Sequence, residues 1–395
     1  MSSGRAQRRG GPAGRVARVV GLAVVLVALV AGCARFPDAS DATWRDKPEI
    51  GAERAPQPQS PAPSEPQAPS APGGAPPSGP CVDPDPQVVA TCLAPVSAVV
   101  TLPGGQAALV AERTTGRILR VAPQTAPQVV ATVAVDAAGD GGLTGLVLSP
   151  SYDEDQLLYA YATTPSGNAV LRIAPGDTPK PVLAGIPRGA SDNRGTVGVE
   201  PNGTLLVATG DAGTPDPGPT SLAGKLLRID PFGRPAPGNP DPASPIVGSG
   251  LHSPGDACAD PSSNTTWVTD RTGTRDVLLA VRPGAPVGTA AAAAPAWTWP
   301  DRPGVAGCAA GGGTLLVGLS DAKGLFVLNP TAEGRFVGAP QTVLQNTYGR
   351  ISGADLASDG FVWFGTVNKD GGAPGATDDR VVRIKPPSGG GSGPE

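Results

Sequence analysis

The residues that could do chemistry at neutral pH in this chain are one histidine and five cysteines. His252 is the only imidazole among the 395 residues, so any acid–base mechanism that needs two histidines is excluded. The cysteines contain no CxxC pair, and a zinc site is therefore not predicted. The chain also lacks a Walker motif, a nucleophile elbow, an HExxH helix and a dinucleotide fingerprint. Function must then depend on how the fold groups scattered polar residues.

Six short sequence phrases that end in proline recur along the chain. Their spacing predicts the fold that groups these polar residues. The six phrases occupy residues 117–123, 170–175, 226–231, 277–283, 325–330 and 381–386. The steps between successive final prolines are 47 to 56 residues, and a strand that recurs at about this period is typical of a β-propeller. We predict an all-β fold, a six-bladed β-propeller over residues 81–387. Each repeat reads as a strand, a turn, a second strand and a closing strand that carries the phrase.

The first 32 residues have the pattern of an export signal. Five arginines and no acidic residue precede an apolar run at 19–30, which is shorter than the roughly twenty residues that span a bilayer. The run ends in the phrase LVAGC at 29–33, which resembles the lipobox of bacterial lipoproteins. That resemblance implies that residues 1–32 are removed and that Cys33 becomes the lipidated N-terminus, acylated with diacylglycerol and palmitate. The alternative is an ordinary signal peptide with an incidental cysteine.

The composition of residues 33–80 predicts a tether that forms no hydrophobic core. Proline alternates with Gln, Ser, Ala and Glu over 56–80, which favours an extended, disordered spacer. Residues 388–395 are predicted to be a disordered tail. We therefore expect a propeller that is exported and held by its N-terminal lipid on the outer face of the cytoplasmic membrane, in the cell envelope.

Four cysteines remain after Cys33, and an even number in an exported chain favours disulfides. Three pairings are open. We favour Cys81–Cys92, which would close a short loop before the first blade, together with Cys258–Cys308. The last two each precede an apolar strand by seven or eight residues, so they occupy equivalent positions in adjacent blades.

Charge excludes one class of partner. The formal net charge is −4 even with the five arginines of the signal included, so the remaining chain is acidic. Non-specific binding of nucleic acid requires a basic surface, and we predict no nucleic-acid partner. We expect a monomer.

Phrases spread over residues 95–386 resemble the glucose/sorbosone dehydrogenase family. The matching phrases are AER at 111–113, GDGGLTG at 139–145, GDAG at 210–213, LAGKLLRID at 222–230 and GRI at 349–351. The family consists of six-bladed propellers that bind pyrroloquinoline quinone (PQQ) and calcium at the mouth of the channel. The lipobox and the proline-rich spacer add a resemblance to LppZ-type lipoproteins of high-GC Gram-positive bacteria.

The resemblance implies a catalytic position that this chain has changed. The family's base is a histidine in an HNGG phrase, which here reads DNRG at 192–195. Asp192 therefore stands where the histidine is expected. A carboxylate titrates near pH 4 and is a poorer base at neutral pH than an imidazole.

The other cofactor positions implied by the resemblance are also altered. Asp140 replaces a glutamine, His252 replaces an arginine, and Ser352 replaces the second of two arginines, of which Arg350 remains. A quinone with three carboxylates needs cationic partners. These exchanges indicate a quinone site that is degraded or repurposed, so neither PQQ nor calcium is assigned except through the resemblance.

The sequence thus supports three hypotheses. The first is an envelope lipoprotein whose propeller binds a small molecule or an envelope protein at its mouth, near Asp140, Asp192, His252 and Arg350. The second is a PQQ-dependent sugar or polyol dehydrogenase with Asp192 as its base. The third is a calcium-dependent, lactonase-like hydrolase. An oxygen-rich run at 368–379 could hold calcium, but a solvated loop is the preferred interpretation.

Overall fold

The computed structural model describes residues 81–285, 288–289 and 294–386. The predicted signal (1–32), the lipidation site Cys33, the tether to residue 80 and the tail at 388–395 lie outside the described residues. Within the described part, no helix has the length and apolar character needed to cross a membrane.

Six antiparallel sheets make six blades, as the repeats predicted. Strand β1 (Val88–Ala90) precedes the first blade in the chain. The first blade contains β2 (Val96–Thr101), β3 (Ala108–Glu112), β4 (Arg117–Ala122) and β5 (Thr125–Thr132). The second contains β6 (Leu143–Leu148), β7 (Leu158–Thr164), β8 (Gly167–Ile173) and β9 (Lys180–Ile186), with the short helix α1 (Tyr152–Asp155) between its first two strands.

The third and fourth blades follow the same order. The third contains β10 (Gly195–Val199), β11 (Leu205–Thr209), β12 (Lys225–Ile229) and β13 (Ile246–Ser249). The fourth contains β14 (Ser253–Asp260), β15 (Thr265–Arg271), β16 (Asp276–Val281) and β18 (Trp297–Trp299). Between β16 and β18 the chain returns to the third blade, where β17 (Gly288–Thr289) pairs in parallel with β13.

The fifth and sixth blades complete the ring. The fifth contains β19 (Val305–Gly311), β20 (Thr314–Leu319), β21 (Gly324–Leu328) and β22 (Gln341–Val343). The sixth contains β23 (Ile351–Leu356), β24 (Val362–Thr366) and β25 (Val381–Ile384), and its outermost strand is β1. Since β1 pairs with β25, the two ends of the described chain are joined in one sheet and the ring is closed.

The core lies between the blades. Six clusters of buried apolar side chains each combine residues from two neighbouring blades. Trp267, for example, is fully buried between the fourth and fifth blades. Middle strands such as β11 are buried at every position because neighbouring blades cover both of their faces. This accounts for the continuous apolar runs in the sequence.

Strand count within a blade differs from the expectation. The recurring phrases lie on the third strand of each blade, at β4, β8, β12, β16, β21 and β25, and a fourth strand follows or, in the sixth blade, comes from β1. The outermost strands were missed because they face solvent and carry few apolar residues. Strand β5 is exposed along almost its whole length.

Both favoured disulfides are confirmed. Cys258 and Cys308 lie on β14 and β19, the innermost strands of the fourth and fifth blades, with their Cα atoms 5.8 Å apart. Cys81 and Cys92 enclose β1, so this bridge holds the strand that closes the ring. The predicted loop before the first blade thus contains an outer strand of the last one.

The disulfide between the fourth and fifth blades should stabilise the fold more than the other. Because Cys258 and Cys308 are 50 residues apart and Cys81 and Cys92 only 11, the unfolded chain loses more loop entropy through the former. Replacing Cys258 and Cys308 with alanine should lower the free energy of unfolding by about 4 kcal/mol, and the matched Cys81→Ala, Cys92→Ala pair by about 3 kcal/mol. Urea unfolding measures both, and equal losses or the reverse order would contradict this account.

Candidate functional site

A polar cavity of about 420 Å³ lies at the end of the channel where the innermost strands begin. Its lining comes from the loops that lead into these strands and from the turns between second and third strands. Five arginines, three aspartates and five serines line it, and Val367 is the one apolar side chain among the described lining residues. The volume is in the range of small-molecule sites.

All four predicted site residues line this cavity. Asp140, Asp192, His252 and Arg350 each lie one to three residues before an innermost strand, on loops that lead into four different blades. Residues more than 200 positions apart in the chain are thereby brought together. Their roles remain predictions.

His252 is held by two carboxylates that sequence reasoning did not assign to it. Its Nδ1 lies 2.6 Å from Asp211 Oδ2, and its Nε2 lies 3.6 Å from Asp192 Oδ1. The backbone N–H groups of His252 and Ser253 donate to Asp270, which fixes the loop before β14. The imidazole is therefore oriented by Asp211, and its second nitrogen lies on the side of Asp192.

This environment favours the protonated imidazole. Burial lowers the pKa of His252, but the hydrogen bond and the charge of Asp211, together with the charges of Asp192 and Asp270, outweigh burial and raise this pKa above its ordinary value. Burial likewise raises the pKa of Asp270 to about 6.

The two predicted carboxylates of the rim differ in what they contact. Asp140 accepts hydrogen bonds from the backbone N–H of Asn193 (3.1 Å) and of Arg194 (3.4 Å), so it fastens the loop before β10. Asp192 lies in that loop with φ +56°, and its carboxylate accepts a hydrogen bond from the Ser191 hydroxyl. Of these two carboxylates, Asp192 is the one with an oxygen, Oδ1, beside His252.

The arginines divide into paired and incompletely paired groups. Arg113 forms a two-point ion pair with Asp370, and Arg350 Nη1 lies 2.8 Å from Asp321. Arg194 forms no side-chain hydrogen bond with any described residue, and the buried Nε atoms of both Arg194 and Arg350 have no hydrogen-bond partner among these residues. The cavity thus contains guanidinium groups with free donors.

Arg271 adds to this positive charge. It donates to the carbonyl oxygens of Gly304 and Val305 and to Ser320. Burial, and then the charge of Arg194, lower the pKa of Arg271 to about 9. The guanidinium groups of Arg194 and Arg271 therefore repel each other within this partly enclosed space. A bound anion would offset that repulsion.

Sequence reasoning missed Arg194, Arg271 and Asp211. A signal for the first was present, because the DNRG phrase at 192–195 places Arg194 where the family phrase has glycine. The inference that the site had lost positive charge did not count this arginine. Nothing in the sequence indicated that Arg271 would line this cavity or that Asp211 would bind the imidazole of His252.

Two groups of oxygen ligands could in principle hold a cation. Asp192, Asp211 and His252 offer atoms within 4.8 Å of one another, but Asp211 already binds the imidazole and arginines line the same cavity. In the 368–379 run, Asp378 and Asp379 are buried and accept hydrogen bonds from their own chain, so the expectation of a solvated loop is wrong for these two. We interpret both groups as hydrogen-bonded structure.

The protonation state of His252 can be measured directly, because His252 is the only histidine in the sequence. In an NMR titration its pKa should lie above the ordinary 6.5, and Asp211→Asn should lower it, since burial remains while the opposing charge is lost. Asp192→Asn should lower it less. Asp216→Asn, an exposed aspartate that does not line the cavity, is the control. A pKa that stays unchanged in Asp211→Asn would contradict the dyad.

Comparison with solved structures gives matches over the whole propeller. The PQQ-bound form of aldose sugar dehydrogenase from Streptomyces coelicolor is 30% identical, with a TM-score of 0.69 over 75% of this chain and 96% of that one. An oxidoreductase described as a glucose dehydrogenase from Thermus thermophilus is 27% identical, with a TM-score of 0.67 over 75% and 98%. The aldose sugar dehydrogenase of Escherichia coli, 18% identical, shares the fold.

The sequence comparisons agree with these structures. No functionally curated protein matches the chain significantly. The family model for glucose/sorbosone dehydrogenase matches residues 94–288, the first three blades and most of the fourth. Together with the 30% identity over nearly the whole of the Streptomyces enzyme, this shows that the chain belongs to the glucose/sorbosone dehydrogenase family.

Proposed function

We propose that the protein is a lipid-anchored propeller of the cell envelope whose channel cavity binds an anionic small molecule. The observation that carries this proposal is the pair of incompletely hydrogen-bonded guanidinium groups at Arg194 and Arg350, with the charge of Arg271 acting on Arg194 in the same cavity. Five arginines and three aspartates line the cavity, and Asp321, which pairs with Arg350, adds one further negative charge, so an excess positive charge remains among these side chains. Protonation of His252 adds to that excess.

Arg194 differs from the other arginines of the cavity that are not exposed, because no described residue accepts a hydrogen bond from its side chain. Guanidinium groups that serve only structure, such as Arg113, end on a carboxylate and on carbonyl oxygens. Arg194 does not, although it is partly enclosed, and a buried donor without a partner costs about 1–3 kcal/mol. A carboxylate or phosphate in the cavity would accept from it and offset the repulsion with Arg271.

PQQ is the anion that the relatives suggest, and the cavity fits it only in part. Arg194, Arg271 and Arg350 would suit its carboxylates. Its flat ring system, however, would find Val367 as the one apolar side chain, and the position of the family's base is held by Asp192. PQQ-dependent oxidation is the second candidate function, supported by the PQQ-bound form of the Streptomyces relative.

Envelope anchoring rests on the sequence of the export signal and lipobox. Replacing Cys33 with serine should move the protein from the membrane fraction to the soluble fraction, because the acylated thiol is the proposed anchor. Fractionation of cells with the unmodified chain is the control, and mass spectrometry of the mature N-terminus should find the acyl chains on Cys33. Retention of Cys33→Ser in membranes, or an unacylated cysteine, would contradict anchoring.

Calorimetry tests the cavity. Citrate, a simple tricarboxylate, should bind the detergent-solubilised protein, and Arg194→Gln should weaken binding about tenfold or more, since a charge-assisted hydrogen bond is lost. Arg120→Gln, which removes an exposed arginine that does not line the cavity, should leave binding unchanged. Equal affinity in Arg194→Gln would exclude the proposed site.

The same experiment separates the two candidates. PQQ with calcium is titrated into the unmodified protein and into Asp192→His, and dye reduction is then measured with aldoses and polyols. Binding of PQQ no tighter than that of citrate, without dye reduction, supports the binding module. Tight, calcium-dependent binding with dye reduction by the unmodified protein would replace it with the dehydrogenase.

A further inference from the structure

The cavity has two chemically different sides. Asp140, Asp192 and His252 come from loops that lead into the second, third and fourth blades. Arg271, Arg302 and Arg350 come from the fourth, fifth and sixth blades. We call the first set the acceptor side and the second the arginine side.

Arg194 lies between these two sides. Its guanidinium is affected by the charges of Asp140, Arg113 and Asp370, which belong to the second, first and sixth blades. A ligand in the cavity would therefore meet Arg194 whichever side it faces.

The acceptor side offers carboxylate oxygens as hydrogen-bond acceptors. Asp140 is occupied by two backbone N–H groups, and the charge of Asp192 is opposed by the neighbouring His252, whose protonated form is favoured. An ammonium group would lie in the same small cavity as five arginines, whose positive charge would repel it. A hydroxyl group, which donates a hydrogen bond without carrying charge, suits these oxygens better.

The rest of the lining is also suited to hydroxyl groups. Five serine side chains can both donate and accept, and no aromatic side chain is among the described lining residues. A cavity of about 420 Å³ has room for one small polar molecule and its bridging waters. An apolar ligand would leave most of these groups unpaired.

We propose that the ligand is a small hydroxylated acid, a sugar acid or a sugar phosphate, with its anionic group on Arg194 and the arginine side and its hydroxyl groups on the acceptor side at Asp192. This inference rests on the proposed anion-binding function and adds the recognition of the ligand's hydroxyl groups. It also distinguishes the ligand from a neutral sugar, which would leave the guanidinium groups unpaired.

Five probes test the proposal by calorimetry on the detergent-solubilised protein: gluconate, glucose 6-phosphate, glucose, succinate and glutamate. Gluconate or glucose 6-phosphate should bind at least tenfold more tightly than glucose and than succinate. Whichever of the two binds better identifies carboxylate or phosphate as the anionic group. The tenfold differences correspond to the loss of one charged contact in glucose and of the hydroxyl contacts in succinate.

Two variants separate the halves of the site. Arg194→Gln should weaken both gluconate and succinate, whereas Asp192→Asn should weaken gluconate about fivefold without weakening succinate, because a hydroxyl contact is lost and no contact to the anionic group is lost. Asp153→Asn, an exposed aspartate that does not line the cavity, is the matched control, and circular dichroism checks that each variant is folded.

Each contrary outcome has a separate meaning. If succinate binds as tightly as gluconate and glucose 6-phosphate, the inference fails and the anion site stands. Tighter binding of glutamate than of gluconate would also overturn it, since the acceptor side would then recognise an ammonium group. If no anion binds, the proposed function fails with it.

Discussion

The close approach of the six innermost strands around the channel is the constraint on which the rest of the structure depends. Five of these strands carry a glycine at which an added Cβ would lie under 3.0 Å from the innermost strand of the next blade. These residues are Gly145, Gly198, Gly255, Gly307 and Gly353. The remaining strand, β2, has Ala98 against Gly353. Real Cβ atoms essentially never approach so closely, so larger residues would push the blades apart.

This tight ring has a direct consequence for the cavity. Because the innermost strands converge, the loops that lead into them also converge, and the second to sixth blades each contribute such a loop to the same small volume. In the second to sixth blades, a residue placed one to three positions before the innermost strand therefore reaches the cavity. Asp140, Asp192, His252 and Arg350 all share that placement. The fold positions side chains by their register relative to a strand rather than by their neighbours in sequence.

The site shows how charges can be redistributed within such a ring. The loop before β10 has aspartate where the family pattern has histidine and arginine where that pattern has glycine, while the loop before β14 supplies the imidazole. The cavity therefore contains both a histidine and positive charge, but from different blades. Asp211 orients the imidazole in its new place, and Arg194 brings a guanidinium to the cavity. At the family's own positions the catalytic histidine and two arginines are missing. In the assembled cavity, a histidine and an arginine are present, but at other positions.

The sequence by itself determined the class of fold, the number of blades, both disulfides and the four predicted residues of the cavity. It could do so because strands, turns and repeat positions are local properties, and because equivalent positions in adjacent blades meet. Only the tertiary structure decided that β1 closes the ring, that Asp211 holds His252, and that Arg194 and Arg271 act on each other. These contacts join residues from different blades, or from strands far apart in the chain. Their distances depend on how the blades pack, which no local pattern records.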